Sequence, residues 1–208
     1  MTSPILDGLP DTLPASPLEL LGDWLDENKQ RTSAPDPWAM TLATIDPDGR
    51  PSARVVLCRG YDRENGIVAF YTNRESRKGR ALAANPYAAV VFHWADLERQ
   101  IRVEGPVTES PEWESDRYFS RRHRKSQEAA WASQQSRPLD SRATFLQALD
   151  DMAKRFEGEE TIPRPPHWGG YRITAERVEL WTQREARTHD RAIWTRSGDR
   201  WDVTRQYP

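Results

Sequence analysis

The chain has 208 residues, 30% of them charged, a net charge of -2 and a mean hydropathy of -0.86. That length supports one sizeable core, no stretch approaches the roughly 18 apolar residues of a membrane-spanning helix, and the charge speaks against a molecule built as a whole to bind nucleic acid or other polyanions. The single cysteine, Cys58, excludes an internal disulfide and a cysteine-based metal site, and the absence of a basic residue before Lys29 argues against a targeting peptide, so a reducing cytoplasm is the expected setting.

Residues 1–15 are rich in Pro, Asp and small side chains and read as a mobile segment ahead of a single domain over 16–208. Ser16-Pro17-Leu18-Glu19 has the form of a capping box, and Leu18, Leu21, Trp24 and Leu25 then recur at helical spacing up to about Gln30. Alternation predicts strands over Ala39–Ile45 and Ser52–Cys58, joined by the Asp46-Pro47-Asp48-Gly49 turn, and a third over Ile67–Thr72. A helix is expected at Arg77–Ala84, strands at Ala88–Trp94 and Gln100–Val107, and helices near Pro111–Ser120, Ser126–Ser133 and Ser141–Phe156. After the Pro- and Gly-rich stretch from Glu157 to Gly170, strands return at Tyr171–Ile173, Val178–Thr182, Ala192–Thr195 and Trp201–Arg205, the last two joined by Ser197-Gly198-Asp199. The pattern predicts a mainly β chain with inserted helices, an antiparallel barrel or strongly curved sheet; neither a dinucleotide fingerprint nor a P-loop is present.

Four segments carry candidate chemistry. Phe70–Arg80 reads as a strand end, a turn and the start of a helix, with Thr72, Asn73 and Ser76 offering small polar groups. Arg77 and Lys78 sit in the first helical turn, where the dipole disfavours cations unless an anion is bound. On the second strand Arg54 lies on an otherwise apolar stretch, and either caps a sheet edge or reaches into a ligand site. Tyr118, Arg122 and Ser126 share a face if helix continues through Arg117–Ser126, which makes either a phosphate grip or part of a solvated basic surface. Arg187, His189 and Arg191 project to one side of an extended segment just after Trp181, facing an anion or polar ring, or else forming a charged hairpin stem with Glu185 and Asp190. The four histidines are scattered, so no metal site is expected.

In their order along the chain these segments resemble the pyridoxamine 5'-phosphate oxidase family from about Asp36 onward. The resemblance is carried by Ala39-Met40-Thr41-Leu42-Ala43-Thr44, Arg54-Val55-Val56-Leu57, Phe70-Tyr71-Thr72-Asn73, Ser76-Arg77-Lys78, Leu97-Glu98-Arg99-Gln100, Ser126-Gln127, Ala130-Trp131-Ala132-Ser133 and Gln135-Ser136-Arg137. It continues through Trp168-Gly169-Gly170, Glu179-Leu180-Trp181 and Arg187-x-His189-Asp190-Arg191. It implies an FMN-binding split β-barrel homodimer with both sites at the interface. FMN would be held by Arg54, Val55, Val56, Leu57, Tyr71, Thr72, Arg77, Lys78, Gln100, Gln135, Ser136, Trp181 and Arg191. The substrate phosphate would meet Arg59, Tyr118, Arg122 and Ser126, with Arg187 and His189 over the substrate ring as the catalytic pair. The implied reaction oxidises pyridoxamine or pyridoxine 5'-phosphate to pyridoxal 5'-phosphate with dioxygen as acceptor. A same-fold flavin oxidase of another ring, of the phenazine-precursor type, and a non-catalytic flavin or pyridoxal-phosphate binder are the alternatives. Two departures stand out: Arg59 replaces the family's usual lysine, and residues 1–15 lack the Arg, Lys and Tyr of the family's N-terminal lid.

Overall fold

Period-two alternation is strongest in the strands that face the core, and it organises the rest of the chain. In the computed structural model, which describes residues 8–208, β1 (Ala39–Ile45) and β2 (Pro51–Leu57) form a hairpin with Ala39 opposite Leu57. Its turn closes through the Gly49 N–H donating to the Asp46 carbonyl, with Gly49 at φ +82°. A short β3 (Gly60–Asp62), too brief to show a period, pairs with β4 (Ile67–Asn73). After α2 (Arg77–Ala84) come β5 (Tyr87–Trp94) and the long β6 (Arg99–Glu109). Three helices follow, α3 (Glu112–Ser120), α4 (Arg124–Ala132) and α5 (Arg142–Arg155). The chain then returns through β7 (Trp168–Thr174), β8 (Arg177–Thr182), β9 (Asp190–Ser197) and β10 (Arg200–Arg205).

All the strand pairings are antiparallel, and the order β10-β9-β8-β6-β5-β1-β2 branches at β6. The first half of β6 pairs with β8 from Arg99 to Glu104, and its end pairs with β7 from Val107 to Glu109. Gly105 lies between the two stretches, where any Cβ would collide with the Thr174 carbonyl, so the split needs a glycine there. The result is the split barrel expected from the sequence. Leu42, Phe70, Phe92, Ile101, Ile173, Leu180 and Trp194 fill it, and Leu21, Trp24 and Leu25 of a further helix, α1 (Leu18–Arg31), pack onto the same core. A second cluster, Phe119, Phe156, Ile162 and Trp168, holds the α3–α5 region against β7.

Two expectations are corrected here. The capping box does not form, because Pro17 occupies the cap position and Ser16 makes only a long 3.4 Å contact with the Leu18 N–H. Glu19 is drawn instead to Arg63, which also reaches Asp23 and Asp26 and clasps α1 to the β3–β4 turn. Of the segment expected to be mobile, residues 1–7 lie outside the described residues, and 8–15 pack on the barrel. Leu9 is buried in the core, the Pro14 carbonyl accepts from the Trp194 indole N–H at 2.9 Å, and the Pro10 carbonyl accepts from Arg205 at 2.6 Å. Apolar side chains at Leu9 and Leu13 account for this docking. Among the described residues no helix is long and apolar enough to cross a membrane.

Candidate active site

A cavity of about 640 Å³ opens between β2, the end of β4, the start of α2 and the α3–α4 corner. One end is cationic. Ser76 caps α2 by accepting from the Gly79 N–H at 3.3 Å, and Gly79 is required because a Cβ would strike the Arg74 backbone. This start of α2 aims Lys78 inward. Its Nζ is buried and donates to Gln135 Oε1 at 3.1 Å and Thr72 Oγ1 at 3.2 Å, while the Thr72 hydroxyl donates to the same Gln135 oxygen at 3.0 Å. Burial, reinforced by the nearby charge of Arg54, pushes the Lys78 ammonium down to about 8. Arg54 reaches in from β2, donating to Thr44 Oγ1 and Ser52 Oγ at 2.7 Å each, and burial lowers its basicity too. Arg54, on the strand that ends the sheet, therefore lines the cavity while also donating to the Leu42 carbonyl of β1 at 3.3 Å. Val55, Val56 and Leu57 continue β2 along the same wall, and Val55 is 68% exposed.

Arg77 departs from its expected place. It does not line the cavity but donates from Nε and Nη2 to Asp46 Oδ2 at 2.9 and 2.5 Å, with its side chain 60% exposed. The buried carboxylate in the β1–β2 turn is the nearest anion and captures it.

The other end is aromatic. Tyr71 stacks on Tyr118 with ring centroids 4.1 Å apart, and both lie nearly parallel to Trp168. The helix does not run through Arg117–Ser126, the condition on which Tyr118, Arg122 and Ser126 would share a face. α3 ends at Ser120, and α4 starts after His123, whose imidazole Nδ1 caps it by accepting from the Lys125 N–H. The break turns Arg122 inward, its guanidinium 4.9 Å from the Trp168 ring and 5.8 Å from Phe119. Tyr118, Arg122 and Ser126 therefore meet in the cavity across a corner and not on one helical face. Arg122 Nη1 is buried with no hydrogen-bond partner among the described residues, and burial, with the charge of Arg59, lowers its basicity. Arg59 lies on the same wall, 3.6 Å from Asp36.

The remaining expected residues form a second group elsewhere on the chain. Gln100 stands opposite Trp181, and Trp181 opposite Arg191, in one row across β6, β8 and β9. Arg191 donates to Glu179 Oε2 at 2.9 Å, and Glu179, only 4% exposed, also takes Arg102 at 3.2 Å. His189 packs 4.7 Å from Trp181, and its Nδ1 accepts from the Arg184 N–H, which in the neutral ring leaves the hydrogen on Nε2. The segment before it is not extended. Glu185–Arg187 forms a helical turn in which Ala186 and Arg187 take φ of 51° and 62°, so Arg187 does not share an alternating face with His189 and Arg191. Ser136, also at positive φ, is exposed and lies outside the cavity lining.

Asn73, offered as a polar group beside Thr72, lines the cavity, while sequence reasoning did not assign Ser133, Phe145 and Trp168 to it. Trp168 carried a signal in the Trp168-Gly169-Gly170 motif; Phe145 sits on a helix that looks merely amphipathic. Among the described residues no Asp or Glu lines the cavity, and no group of three or more His, Cys, Asp or Glu is placed to hold a metal.

Comparison with known proteins bears on this arrangement. Residues 27–182 match the family described as pyridoxamine 5'-phosphate oxidase, and residues 168–208 match the pyridoxine 5'-phosphate oxidase C-terminal dimerisation region. A pyridoxine/pyridoxamine 5'-phosphate oxidase of Gluconobacter oxydans is 50% identical over 94% of this chain and 96% of its own, and one of Rubrobacter xylanophilus is 50% identical over 92% and 87%. Among solved structures, PhzG from Burkholderia lata 383, in complex with tetrahydrophenazine-1-carboxylic acid, aligns with a TM-score of 0.85 at 30% identity over 97% of this chain and all of its own. A pyridoxamine 5'-phosphate oxidase-related, FMN binding protein of Nostoc punctiforme shares the fold with a TM-score of 0.72 at 17% identity over 95% of this chain and all of its own.

Proposed function

This chain belongs to the pyridoxamine 5'-phosphate oxidase family and is an enzyme, and from that premise we propose that it is an FMN-dependent oxidase converting pyridoxamine or pyridoxine 5'-phosphate to pyridoxal 5'-phosphate, with dioxygen reduced to hydrogen peroxide. The observation that carries the reading is the presence of two separate cationic ends in one cavity, Lys78 with Arg54 at one and Arg122 with its unpartnered Nη1 at the other. One suits the phosphate of the cofactor and the other the phosphate of the substrate.

The donor set fits a flavin mononucleotide: buried cations, hydroxyls and an amide, with no carboxylate in the lining. Lys78, Arg54 and Thr72 would hold its phosphate, and Tyr71, Gln135 and the β2 backbone from Val55 to Leu57 would border the rest. Bound there, the flavin would supply the hydride acceptor for oxidation at the substrate C4' carbon, with dioxygen as the final electron acceptor. Tyr118, Ser126, Arg59 and Arg122 would anchor the substrate phosphate, and Trp168 behind Tyr71 and Tyr118 keeps water from that wall. Gln100, Trp181, Arg191, Arg187 and His189 would reach the same site from a second copy of the chain. Their separation from the cavity on one chain and the match to a dimerisation region support a homodimer with shared sites. There Arg187 would orient the ring and His189 would hold or move a proton at Nε2.

The test is anaerobic mixing of the FMN-loaded protein with pyridoxamine 5'-phosphate and then pyridoxine 5'-phosphate, following the visible absorbance of the oxidised flavin. Bleaching, a pyridoxal phosphate product and recovery of colour in air are expected. A flavin that binds but stays oxidised with both overturns the reading in favour of another ring substrate or a binding protein.

A further inference from the structure

On the far side of the Tyr71–Tyr118 stack lies a second cleft of about 330 Å³ that the proposed reaction leaves without a task. Arg59, Tyr71 and Tyr118 line both clefts. Four guanidinium groups border the second, those of Arg59, Arg117, Arg121 and Arg172, against two carboxylates. Both carboxylates are engaged. Glu114 takes Arg172 through Nε at 3.1 Å and through Nη2. Asp62 accepts from the backbone N–H groups of Glu64 and Asn65 and from the Asn65 side chain, which holds it below the usual carboxylate range. Arg117 and Arg121 are left with no ion pair among the described residues, and Arg59 has only the 3.6 Å approach of Asp36.

Trp113, Arg117 and Arg121 fall at i, i+4 and i+8, so an indole that is 60% exposed and two uncommitted cations stand in one line along the cleft. Like charges at that spacing destabilise a helix by a few tenths of a kcal/mol. The dipole at the end of α3 explains one cation in this turn, but not two directed at a cleft that Arg59 and Arg172 already make positive. A flat apolar face beside unpaired guanidiniums is the chemistry that takes an anion carried on a ring. The volume is ample for a ring with one phosphate.

We propose that this cleft is a staging subsite for a phosphate monoester borne on a small flat ring, holding the phosphate on Arg117 and Arg121 until Arg59, common to both clefts, passes it toward Arg122. The assignment rests on the proposed oxidase reading for the identity of the natural ligand, but not for the binding itself. The probe is phenyl phosphate, which has the anion and the ring but no oxidisable C4' group. Calorimetric titration of the FMN-loaded protein is expected to show two binding events per chain, and Arg117→Gln with Arg121→Gln to remove one of them. Both side chains are exposed, so folding is expected to survive. With pyridoxamine 5'-phosphate the double variant is expected to lose about tenfold in kcat/KM at low ionic strength with kcat unchanged, the gap closing in high salt. Arg121→Glu should deepen the loss. A double variant that binds phenyl phosphate with wild-type stoichiometry and affinity overturns the subsite, whether or not the protein oxidises B6 vitamers. A protein without oxidase activity that still loses one binding event on substitution keeps the subsite and overturns only the reaction.

Discussion

Replacing Lys78 with methionine keeps the length of the buried side chain and removes its charge, and it is expected to move two properties in opposite directions. The ammonium falls from its ordinary value of 10.5 to about 8 inside the fold, chiefly through burial. Below pH 8 it is charged in both the folded and unfolded chain, and the cofactor-free fold bears the cost of a desolvated cation. Between about 8 and 10.5 the fold has released the proton while the unfolded chain keeps it, so stability rises with pH through that window by an amount bounded at roughly 3 kcal/mol. A bound phosphate reverses the preference by requiring the charged form. FMN binding should therefore take up one proton above pH 8, and its dissociation constant should climb about tenfold per pH unit from about 8 to 10. In Lys78→Met that slope disappears. At pH 7 the affinity drops about 10- to 100-fold, as expected for a lost charge-assisted hydrogen bond of roughly 1.5–3 kcal/mol, while the cofactor-free protein becomes more resistant to heat. Titration by quenching of flavin fluorescence across pH, with thermal unfolding of the cofactor-free forms, reads both. A wild-type dissociation constant that is flat from pH 7 to 10, or a variant that holds FMN as tightly as the parent, would refute the reasoning.

Three further substitutions separate the parts of the site. Arg122→Lys shortens the group whose Nη1 is unpartnered and loses its stacking on Trp168, so steady-state kinetics should show KM for the phosphorylated substrate up about tenfold with flavin content unchanged. His189→Ala should cut turnover far more than flavin content; equal turnover in a stopped-flow comparison would remove the residue from the mechanism. Glu179→Gln takes the charge from a buried carboxylate that holds both Arg191 and Arg102, and denaturant unfolding should register a loss of about 3 kcal/mol together with weaker flavin binding.

Strands with clean alternation and helices bounded by Ser76 or Ser141 were legible in the sequence, because periodicity and capping are local. So was the cationic character of the cavity, since an arginine on an apolar strand and a lysine in a helix's first turn each violate a local rule. What could not be read were conformations imposed by partners. Nothing in Glu185-Ala186-Arg187 signals two successive left-handed residues, there being no Gly or Asn. The break after Ser120 was in the expected helix bounds, but not its consequence, that Arg122 is turned over Trp168, a residue distant in sequence. Asp46 was visible as a turn residue, but its capture of Arg77 depends on how the β1–β2 hairpin meets α2. The capping box failed because Pro17 takes the cap position, which leaves Glu19 to Arg63 across the fold.

The ion pair between Asp46 and Arg77 also bears on the charge around the Lys78 end of the cavity. Arg54, Arg77 and Lys78 bring three positive charges, and Asp46 cancels one, leaving a surplus of two near neutral pH. A terminal phosphate monoester carries close to two negative charges in that range, whereas each phosphate inside a dinucleotide linkage carries one. The surplus matches what a single terminal phosphate would bring, whereas a diphosphate linkage spreads the same total over two groups. By holding Arg77 outside the lining, the turn aspartate would keep that match from being exceeded, although it sits away from the cavity itself.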